Sequence, residues 1–275
     1  MTYDFAKYKD EFDKIIFNYF SVLGIDIYQY SKYPPHIQTF IPIIFDKIYT
    51  QTIDDCFQYE PLLFSKEVSN QTKETLKTNY FISTGDGGFQ IFRTPIHALS
   101  FLIYFQKNIH SFNVHSFLPN YHAGCGELSI RYAITYDYLY AYKNNFYGQA
   151  IIKNARILSK DRLNRSLIDK ETYTWFENKC NGIESLSMIK NKNSYGHSLK
   201  KLFGLGDDVQ AKSYLFGDEN KISTSICQRL TDINIKNSSY FIYNLYIQVI
   251  IEIAKIQGKG FVVPIGNLNL TGLDE

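Results

Sequence analysis

The chain has 275 residues, of which 45% are hydrophobic, and a formal net charge of +2 at pH 7. This length and apolar content allow one large domain, or one domain with an appendage. A charge so near neutral gives no support to an electrostatic nucleic-acid footprint, so we expect no nucleic-acid partner. The four cysteines are far apart and form no CxxC pair, which favours free thiols in a reducing compartment over a disulfide framework or a zinc site.

The N-terminal segment and the most apolar stretch of the chain both argue against a membrane partner. The segment MTYDFAKYKDEFDKIIF carries charges throughout and lacks an apolar signal-peptide core, and residues 5–17 predict a short amphipathic helix. Residues 240–256 are the most apolar stretch, but Asn244, Gln248, Glu252 and Lys255 interrupt it at helical spacing. This polar stripe predicts a nearly buried helix and not a membrane span. We therefore expect a cytoplasmic protein.

The first part of the chain predicts a strand, a helix and a β-hairpin. A strand at about 19–28 precedes a Pro-Pro turn and a helix from about 36 to 49. Residues 50–78 are polar and irregular, with a candidate helix near 69–77. The sequence NYFISTGDGGFQIF then places an Asp-Gly pair between two strand-like runs, which is the strongest short-range signal for a hairpin, at about 79–93.

The second part predicts alternating helices and strands, followed by a long tail. Thr94 and Pro95 open a helix that runs to about Lys107. After a loop rich in His and Gly come two strands, a helix, a short strand and a helical turn, predicted at 127–135, 136–143, 148–159, 164–169 and 170–176. The tail predicts a polar region, a helix near 238–257 and a final strand in FVVPIGNLNL.

This order of elements predicts an α+β fold close to the split βαββαβ plan. We assign residues 1–177 to a catalytic-type core. Residues 178–275 form a C-terminal helical and strand extension, which we expect to pack on the core or on a partner chain.

Two carboxylates stand out against this predicted framework. Asp86 lies at the tip of the hairpin, where an ordinary turn would explain it, but Gly85, Gly87 and Gly88 supply more glycine than a turn requires. Asp26 lies inside the apolar run FSVLGIDIY, where burying a charge is costly unless it is paired. The alternative for Asp26 is a strand-end carboxylate bonded to nearby N–H groups. If the two strands are neighbours, the two carboxylates converge and predict a divalent metal site.

A third feature is the helix predicted in YGQAIIKNARIL. Arg156 follows Gly148 by eight residues, about two helical turns, so both lie on a similar face. From the pattern alone, a solvated helix arginine is the simpler interpretation of Arg156.

Taken in order and spacing, the three segments resemble the class III nucleotidyl cyclases, over about residues 20–176. The resemblance implies the cyclase-type βαββαβ core and a homodimer with composite active sites. It implies that Asp26 and Asp86 hold two divalent cations, Mg²⁺ or Mn²⁺, with the Ile27 carbonyl as an additional ligand. It also implies that Arg156 steadies the transition state from the other subunit.

The sequence departs from the resembled family at three positions. The family's helix carries an asparagine four residues before the arginine, whereas this chain has Ile152. Asn154 is no simple substitute, because two residues along a helix turn a side chain by about 200°. The two positions that read the purine in the family are Ile82 and Asn145 here, and an isoleucine cannot hydrogen-bond a base edge.

A cyclase without purine determinants and with an appended C-terminal segment resembles the pyrimidine cyclases of the Pycsar antiphage system. The resemblance implies that UTP or CTP is converted to the 3′,5′-cyclic nucleotide and pyrophosphate, as a signal to a separate effector; we favour UTP. Asn145 would read the pyrimidine edge, since an amide both donates and accepts. Arg93 and Tyr49 are candidates for closing a smaller base pocket, although surface exposure or ordinary packing would also explain them.

Two other functions remain open at this point. The chain could be a purine cyclase with an atypical base pocket. It could also be a cyclase-fold module that binds nucleotide without turnover, and Ile152 is the feature that favours this second alternative.

Overall fold

The computed structural model describes residues 17–64, 72–114, 116–143, 145–188, 215, 222–235, 238–252, 260–271 and 273. The helix predicted over residues 5–17 falls outside these ranges apart from its last residue. No helix within the described ranges is long and apolar enough to cross a membrane. All four cysteines are free, as predicted.

The described residues form nine strands, nine α-helices and one short 3-10 helix, Tyr30–Lys32. The strands are β1 Phe17–Ile27, β2 Phe81–Ser83, β3 Gly87–Phe92, β4 Ile130–Tyr142, β5 Asn145–Gly148, β6 Ser166–Asp169, β7 Ile222–Ile235, β8 Ser238–Glu252 and β9 Gly260–Ile265. The helices are α1 Pro35–Gln38, α2 Ile41–Tyr59, α3 Pro61–Phe64, α4 Lys73–Thr78, α5 Pro95–Asn113, α6 Pro119–Cys125, α7 Gln149–Lys160, α8 Lys170–Cys180 and α9 Ser185–Met188.

The strands join in one sheet with the order β2-β3-β1-β4-β6-β8-β7, and β5 and β9 pair with β4 and β8. Within it, β1, α2, β2, β3, α5 and β4 follow one another as a βαββαβ unit in which β1 lies between β3 and β4, antiparallel to both. The predicted α+β class with a βαββαβ core is therefore confirmed. The hairpin and the helix over 148–159 are also found where they were predicted.

The side chains of strand β1 alternate between the two faces of the sheet, and helices pack against both faces. Leu23, Ile25 and Ile27 belong to the main core, which also contains the buried faces of α2 and α5. Gly24 lies on the opposite face, where α7 approaches so closely that a Cβ would be 1.9 Å from the side chain of Asn154. By the same alternation, Asp26 projects toward α7.

The helix predicted near 238–257 is wrong over residues 238–252, which form the long strand β8. Residues 253–257, with Lys255, lie outside the described ranges. The positions Asn244, Gln248 and Glu252 are four apart, so they share one face of a strand as readily as one face of a helix. The β-branched and aromatic residues of this segment favour the strand. Strand β8 pairs antiparallel with β6, so the strands of the C-terminal extension continue the sheet of the core.

Three smaller predictions also differ from the structure. Helix α2 continues to Tyr59, through residues predicted as irregular, because its inward positions Thr52, Ile53 and Cys56 remain buried. Residues 108–126 are mostly helical, in α5 and α6, and not a loop. The two strands predicted at 127–135 and 136–143 are one strand, β4, because no glycine or proline breaks the run.

Candidate active site

The hairpin delivers Asp86 to the end of β1 that carries Asp26. Asp26 is opposite Gly87 in the β1–β3 ladder, and the Ile27 amide donates to the Asp86 carbonyl at 3.2 Å. A Cβ on Gly87 would lie 2.0 Å from the Ile25 carbonyl oxygen, so only glycine permits this approach. Gly85 has a φ of +99°, a conformation that favours glycine at the turn. The extra glycines therefore serve a close backbone contact beside the carboxylates.

Asp26 and Asp86 line one cleft of about 200 Å³. The hairpin contributes Thr84 and Phe89 to its walls, and α7 contributes Ala155, Leu158 and Ser159. The predicted convergence of the two strands that carry the carboxylates is thus present in the structure, at the face where α7 packs over the sheet.

Arg131 is the cleft residue that the sequence interpretation missed. It is opposite Asp26 in the β1–β4 ladder, and its Nε donates to Asp26 Oδ2. Its Nη1 donates to the Asp161 carbonyl at 2.5 Å. An arginine inside an apolar strand signals a charge partner, but the sequence does not give the register that places it beside Asp26.

The surroundings of Asp26 shift its pKa in opposite directions. Burial raises the pKa of Asp26, and the hydrogen bond and positive charge of Arg131 oppose that rise. The charge of the neighbouring Asp86 raises the pKa of Asp26 further. Two carboxylates that repel each other across a cleft favour the binding of a cation. A single guanidinium offsets only part of their negative charge, and a cation would offset the rest.

The donor set of the cleft fits Mg²⁺ or Mn²⁺. These ions prefer carboxylate and carbonyl oxygens, and the cleft offers the carboxylates of Asp26 and Asp86. Ile27, whose carbonyl was the expected additional ligand, follows Asp26 at the end of β1 but is not among the residues that line the cleft. Among the described residues there is no group of three or more His, Cys, Asp and Glu side chains that could hold a metal. A site here would complete its coordination with substrate oxygens and water, as Mg²⁺ sites with one or two carboxylates do.

Arg156 lies on α7 but does not face this cleft. Its Nη1 donates to the Tyr240 hydroxyl on β8 at 2.6 Å, and its guanidinium lies 5.9 Å from the centre of the Tyr240 ring. The neighbouring Ala155 and Ser159 face the cleft instead. The structure therefore brings Asp26 and Asp86 together and directs Arg156 elsewhere within the same chain.

Asn154 is a structural residue of the core. Its side chain is fully buried, and Nδ2 donates to the carbonyls of Val22 and Ala133, both at 2.9 Å, and lies 3.2 Å from Thr135 Oγ1. Ile152 is 42% exposed on another face of the same helix. Asn154 is thus unable to replace an asparagine at position 152, as the helical geometry predicted.

The residues proposed for base recognition are dispersed. Ile82 lies opposite Phe89 in the β2–β3 ladder, and Asn145 begins β5 with its Oδ1 accepting from the Phe146 amide at 2.8 Å. Ile82 and Phe146 both pack against one small apolar cluster that includes Val22 and Ile91. Phe146, the residue after Asn145, thus packs against the same cluster as Ile82, but neither Ile82 nor Asn145 lines the cleft of Asp26 and Asp86.

Tyr49 and Arg93 do not reach the cleft. Tyr49 is 1% exposed, its hydroxyl donates to the Gln90 side chain, and its ring centre lies 4.6 Å from that of Phe81. It is a core side chain between α2 and the hairpin, which corrects its assignment to the base pocket. Arg93 is exposed beyond the end of β3 opposite to Asp86, about 20 Å along the strand.

Comparisons with known proteins find no matching family model and no matching curated protein. Among solved structures, the adenylyl cyclase CyaB from P. aeruginosa is 14% identical, with a TM-score of 0.47 over 84% of this chain and 95% of that chain. The adenylate/guanylate cyclase/hydrolase from Silicibacter pomeroyi is 10% identical, with a TM-score of 0.44 over 84% and 98% of the two chains. A dimeric guanylyl cyclase domain of the RhoGC fusion protein from the aquatic fungus Blastocladiella emersonii is 12% identical, with a TM-score of 0.44 over 84% and 97%. At these scores the similarities carry no conclusion about activity, and we draw the function from the geometry of the site.

Proposed function

We propose that this chain is a nucleotidyl cyclase of the class III type, a phosphorus–oxygen lyase that acts on a nucleoside triphosphate. The observation that carries the proposal is the convergence of Asp26 and Asp86, from the ends of two neighbouring strands, in a cleft that also contains Arg131. Two carboxylates and a guanidinium form a site for cations and phosphate oxygens together. The βαββαβ topology of the sheet supports the same assignment.

In the proposed reaction the ribose 3′-oxygen attacks the α-phosphorus in line, and pyrophosphate leaves. Two divalent cations held by Asp26, Asp86 and the Ile27 carbonyl would lower the pKa of the 3′-hydroxyl and offset the charge of the triphosphate. Arg131 would donate to phosphate oxygens beside Asp26, since a guanidinium binds phosphate through its fork of N–H groups. The cleft residues thus hold the triphosphate in position for the attack.

Arg156 would act on the active site of a second subunit. Its guanidinium contacts Tyr240 on β8 and does not line the cleft of its own chain, so a catalytic role requires a homodimer with composite active sites. There it would offset negative charge that develops on the phosphoryl oxygens in the transition state.

The nucleotide is proposed to be a pyrimidine, UTP in preference to CTP. Ile82 offers no hydrogen bond to a purine edge, and the amide of Asn145 can both donate and accept. The cyclic UMP or cyclic CMP product would signal to a separate effector in antiphage defence.

Incubation of the protein with each of the four nucleoside triphosphates and Mn²⁺, followed by chromatography, tests the substrate. We expect a cyclic pyrimidine nucleotide and pyrophosphate, formed fastest from UTP. A cyclic purine product would contradict the pyrimidine assignment and establish a purine cyclase with an atypical pocket. The variant Arg156→Ala tests the proposed catalytic arginine and should form no cyclic nucleotide. Its control is Asp46→Asn, on the exposed surface of α2, which should keep full activity.

A cyclase-fold module without turnover is the second candidate. Ile152 favours it, because an exposed isoleucine provides no hydrogen bond to the transition state from the face of α7 that it occupies. Calorimetric binding of a triphosphate with no release of pyrophosphate, in the presence of Mn²⁺, would support this candidate over the enzyme.

A further inference from the structure

A fully buried arginine ties the end of the chain to the loop after α7. Arg165 is 0% exposed, and its Nε and Nη2 lie 2.9 and 2.7 Å from Asp161 Oδ1. Its Nη1 donates to the backbone carbonyls of Asn269 at 2.9 Å and Thr271 at 2.6 Å. Burying an ion pair costs less when its other donors find acceptors, and here the C-terminal backbone supplies two acceptors for Nη1.

The segment formed by residues 267–271 and Leu273, which we name the C-terminal clamp, is shaped by polar contacts. The carbonyl of Asn267 accepts from the Asn244 side chain at 2.7 Å, and the Asn267 Oδ1 accepts from the Asn269 amide at 3.0 Å. The Asn269 Oδ1 in turn accepts from the Thr271 amide at 2.9 Å and hydroxyl at 2.8 Å. Leu273 forms a β-bridge with Asp161.

The leucines of the clamp differ in their burial. Leu268 is 54% exposed and Leu270 is 47% exposed, whereas Leu273 is partly buried and packs against the apolar cluster that contains Ile157 and Leu158. Residues 267–271 therefore depend on their backbone and amide contacts, above all on the carbonyls that face Arg165, and Leu273 adds an apolar contact at the end of the clamp.

The same loop orients the arginine of the cleft. The Asp161 carbonyl accepts from Arg131 Nη1 at 2.5 Å, and Arg131 Nε donates to Asp26. The carbonyl of Arg165 accepts from the amide of Tyr132, the residue that follows Arg131, at 2.8 Å. A continuous set of hydrogen bonds thus leads from the clamp through Arg165 and Asp161 to the cleft.

We infer that the C-terminal clamp is a positioning element for Arg131. It fixes Arg165 and Asp161, and the Asp161 carbonyl holds the Arg131 guanidinium beside Asp26, where phosphate oxygens bind. The effect on nucleotide binding rests on the proposed function, whereas the effect on the guanidinium itself does not.

The first test observes the guanidinium directly by nuclear magnetic resonance of the full chain with ¹⁵N-labelled arginine. The Arg131 Nε–Hε signal is assigned by its loss in Arg131→Lys. We expect this signal to be narrow and slow to exchange in the wild type and in Leu268→Ala, the matched control on the clamp. In Asn269→Ala it should shift and exchange faster, because the carbonyls of the clamp lose their fixed orientation.

The second test measures triphosphate binding by calorimetry in the presence of Ca²⁺. Asn269→Ala should weaken binding about fivefold to tenfold, the range of a modest coupling between sites. In an Arg131→Ala background the same change should have no further effect, since the clamp acts through Arg131. A merely structural role for Asn269 would weaken binding equally in both backgrounds. Thermal unfolding confirms that each variant is folded, and a chain truncated after Gly266 provides the stronger perturbation.

The outcomes separate the two proposals. If the Arg131 signal responds to Asn269→Ala but Arg131→Ala binds triphosphate as tightly as the wild type, the clamp stands and the assigned role of Arg131 in the proposed function fails. The opposite outcome would overturn the inferred positioning role of the clamp. In that case Arg131→Ala weakens triphosphate binding, but Asn269→Ala and the truncated chain change neither the Arg131 Nε–Hε signal nor the affinity for triphosphate.

Discussion

Replacement of Asn154 by alanine should destabilise the protein without removing a group that takes part in the chemistry. The amide NH2 donates its two hydrogens to the backbone carbonyls of Val22 and Ala133, on the strands β1 and β4, both at 2.9 Å. It also fills the space that Gly24 leaves open between β1 and α7. The substitution therefore leaves buried acceptors without their donor at the contact between α7 and the sheet.

The expected loss follows from these contacts. A hydrogen bond contributes about 1 kcal/mol net, so the two bonds amount to about 2 kcal/mol. For a protein of this size, about 1 kcal/mol lowers the melting temperature by roughly 2–4 °C. We therefore expect the melting temperature of Asn154→Ala to fall by about 4–8 °C.

Thermal unfolding followed by circular dichroism measures this change, and Ile152→Ala, an exposed position on the same helix, is the control that should melt like the wild type. Assayed well below its melting temperature, Asn154→Ala should keep a kcat within a few-fold of the wild type. An unchanged melting temperature together with a hundredfold lower kcat would refute the structural role and place Asn154 in the reaction.

Two further predictions concern Arg156 and the buried His97. Tyr240→Phe should lower kcat about tenfold and leave KM unchanged, because the lost hydroxyl orients Arg156, which is proposed to act only in the transition state. Tyr243→Phe, on the same strand, is the control, and an equal loss of kcat in this variant would contradict the prediction. Burial lowers the pKa of His97 from 6.5 to about 4, so between these values only the unfolded chain takes up the proton and stability falls as the pH falls. Urea unfolding of the wild type and of His97→Gln measures this effect. The difference between their free energies of unfolding should change by about 2 kcal/mol from pH 7 to pH 5, to the disadvantage of the wild type. A difference that does not depend on pH would rule out the shifted pKa of His97.

The two carboxylates of the cleft could be proposed from the sequence because their signals are local. An Asp-Gly pair between two strand-like runs specifies a hairpin, and a lone charge in an apolar strand requires a partner. Both signals depend on neighbouring residues, so Asp86 and Asp26 could be named without knowledge of the fold. The helix that carries Arg156 was predictable for the same reason.

The rest of the site depends on contacts between distant segments. Arg131 reaches Asp26 because β1 and β4 pair in one particular register, and the periodicity of a strand does not specify its partner. Tyr240 was predicted to lie on a helix because a spacing of four fits both a helix and one face of a strand, and only the pairing of β8 with β6 resolves that ambiguity. The sequence leaves Tyr49 open between a base pocket and ordinary packing, because its burial depends on how α2 packs against the hairpin.

The central claim is that Asp26 and Asp86 share cations that the reaction requires. The most direct test is the release of pyrophosphate from UTP as a function of Mn²⁺ concentration, measured for the wild type and for Asp86→Ala. Metal catalysis supplies several kcal/mol of transition-state stabilisation, so we expect the rate of Asp86→Ala to fall about a thousandfold while the variant stays folded. Full activity of folded Asp86→Ala, with an unchanged dependence on Mn²⁺, would contradict the account.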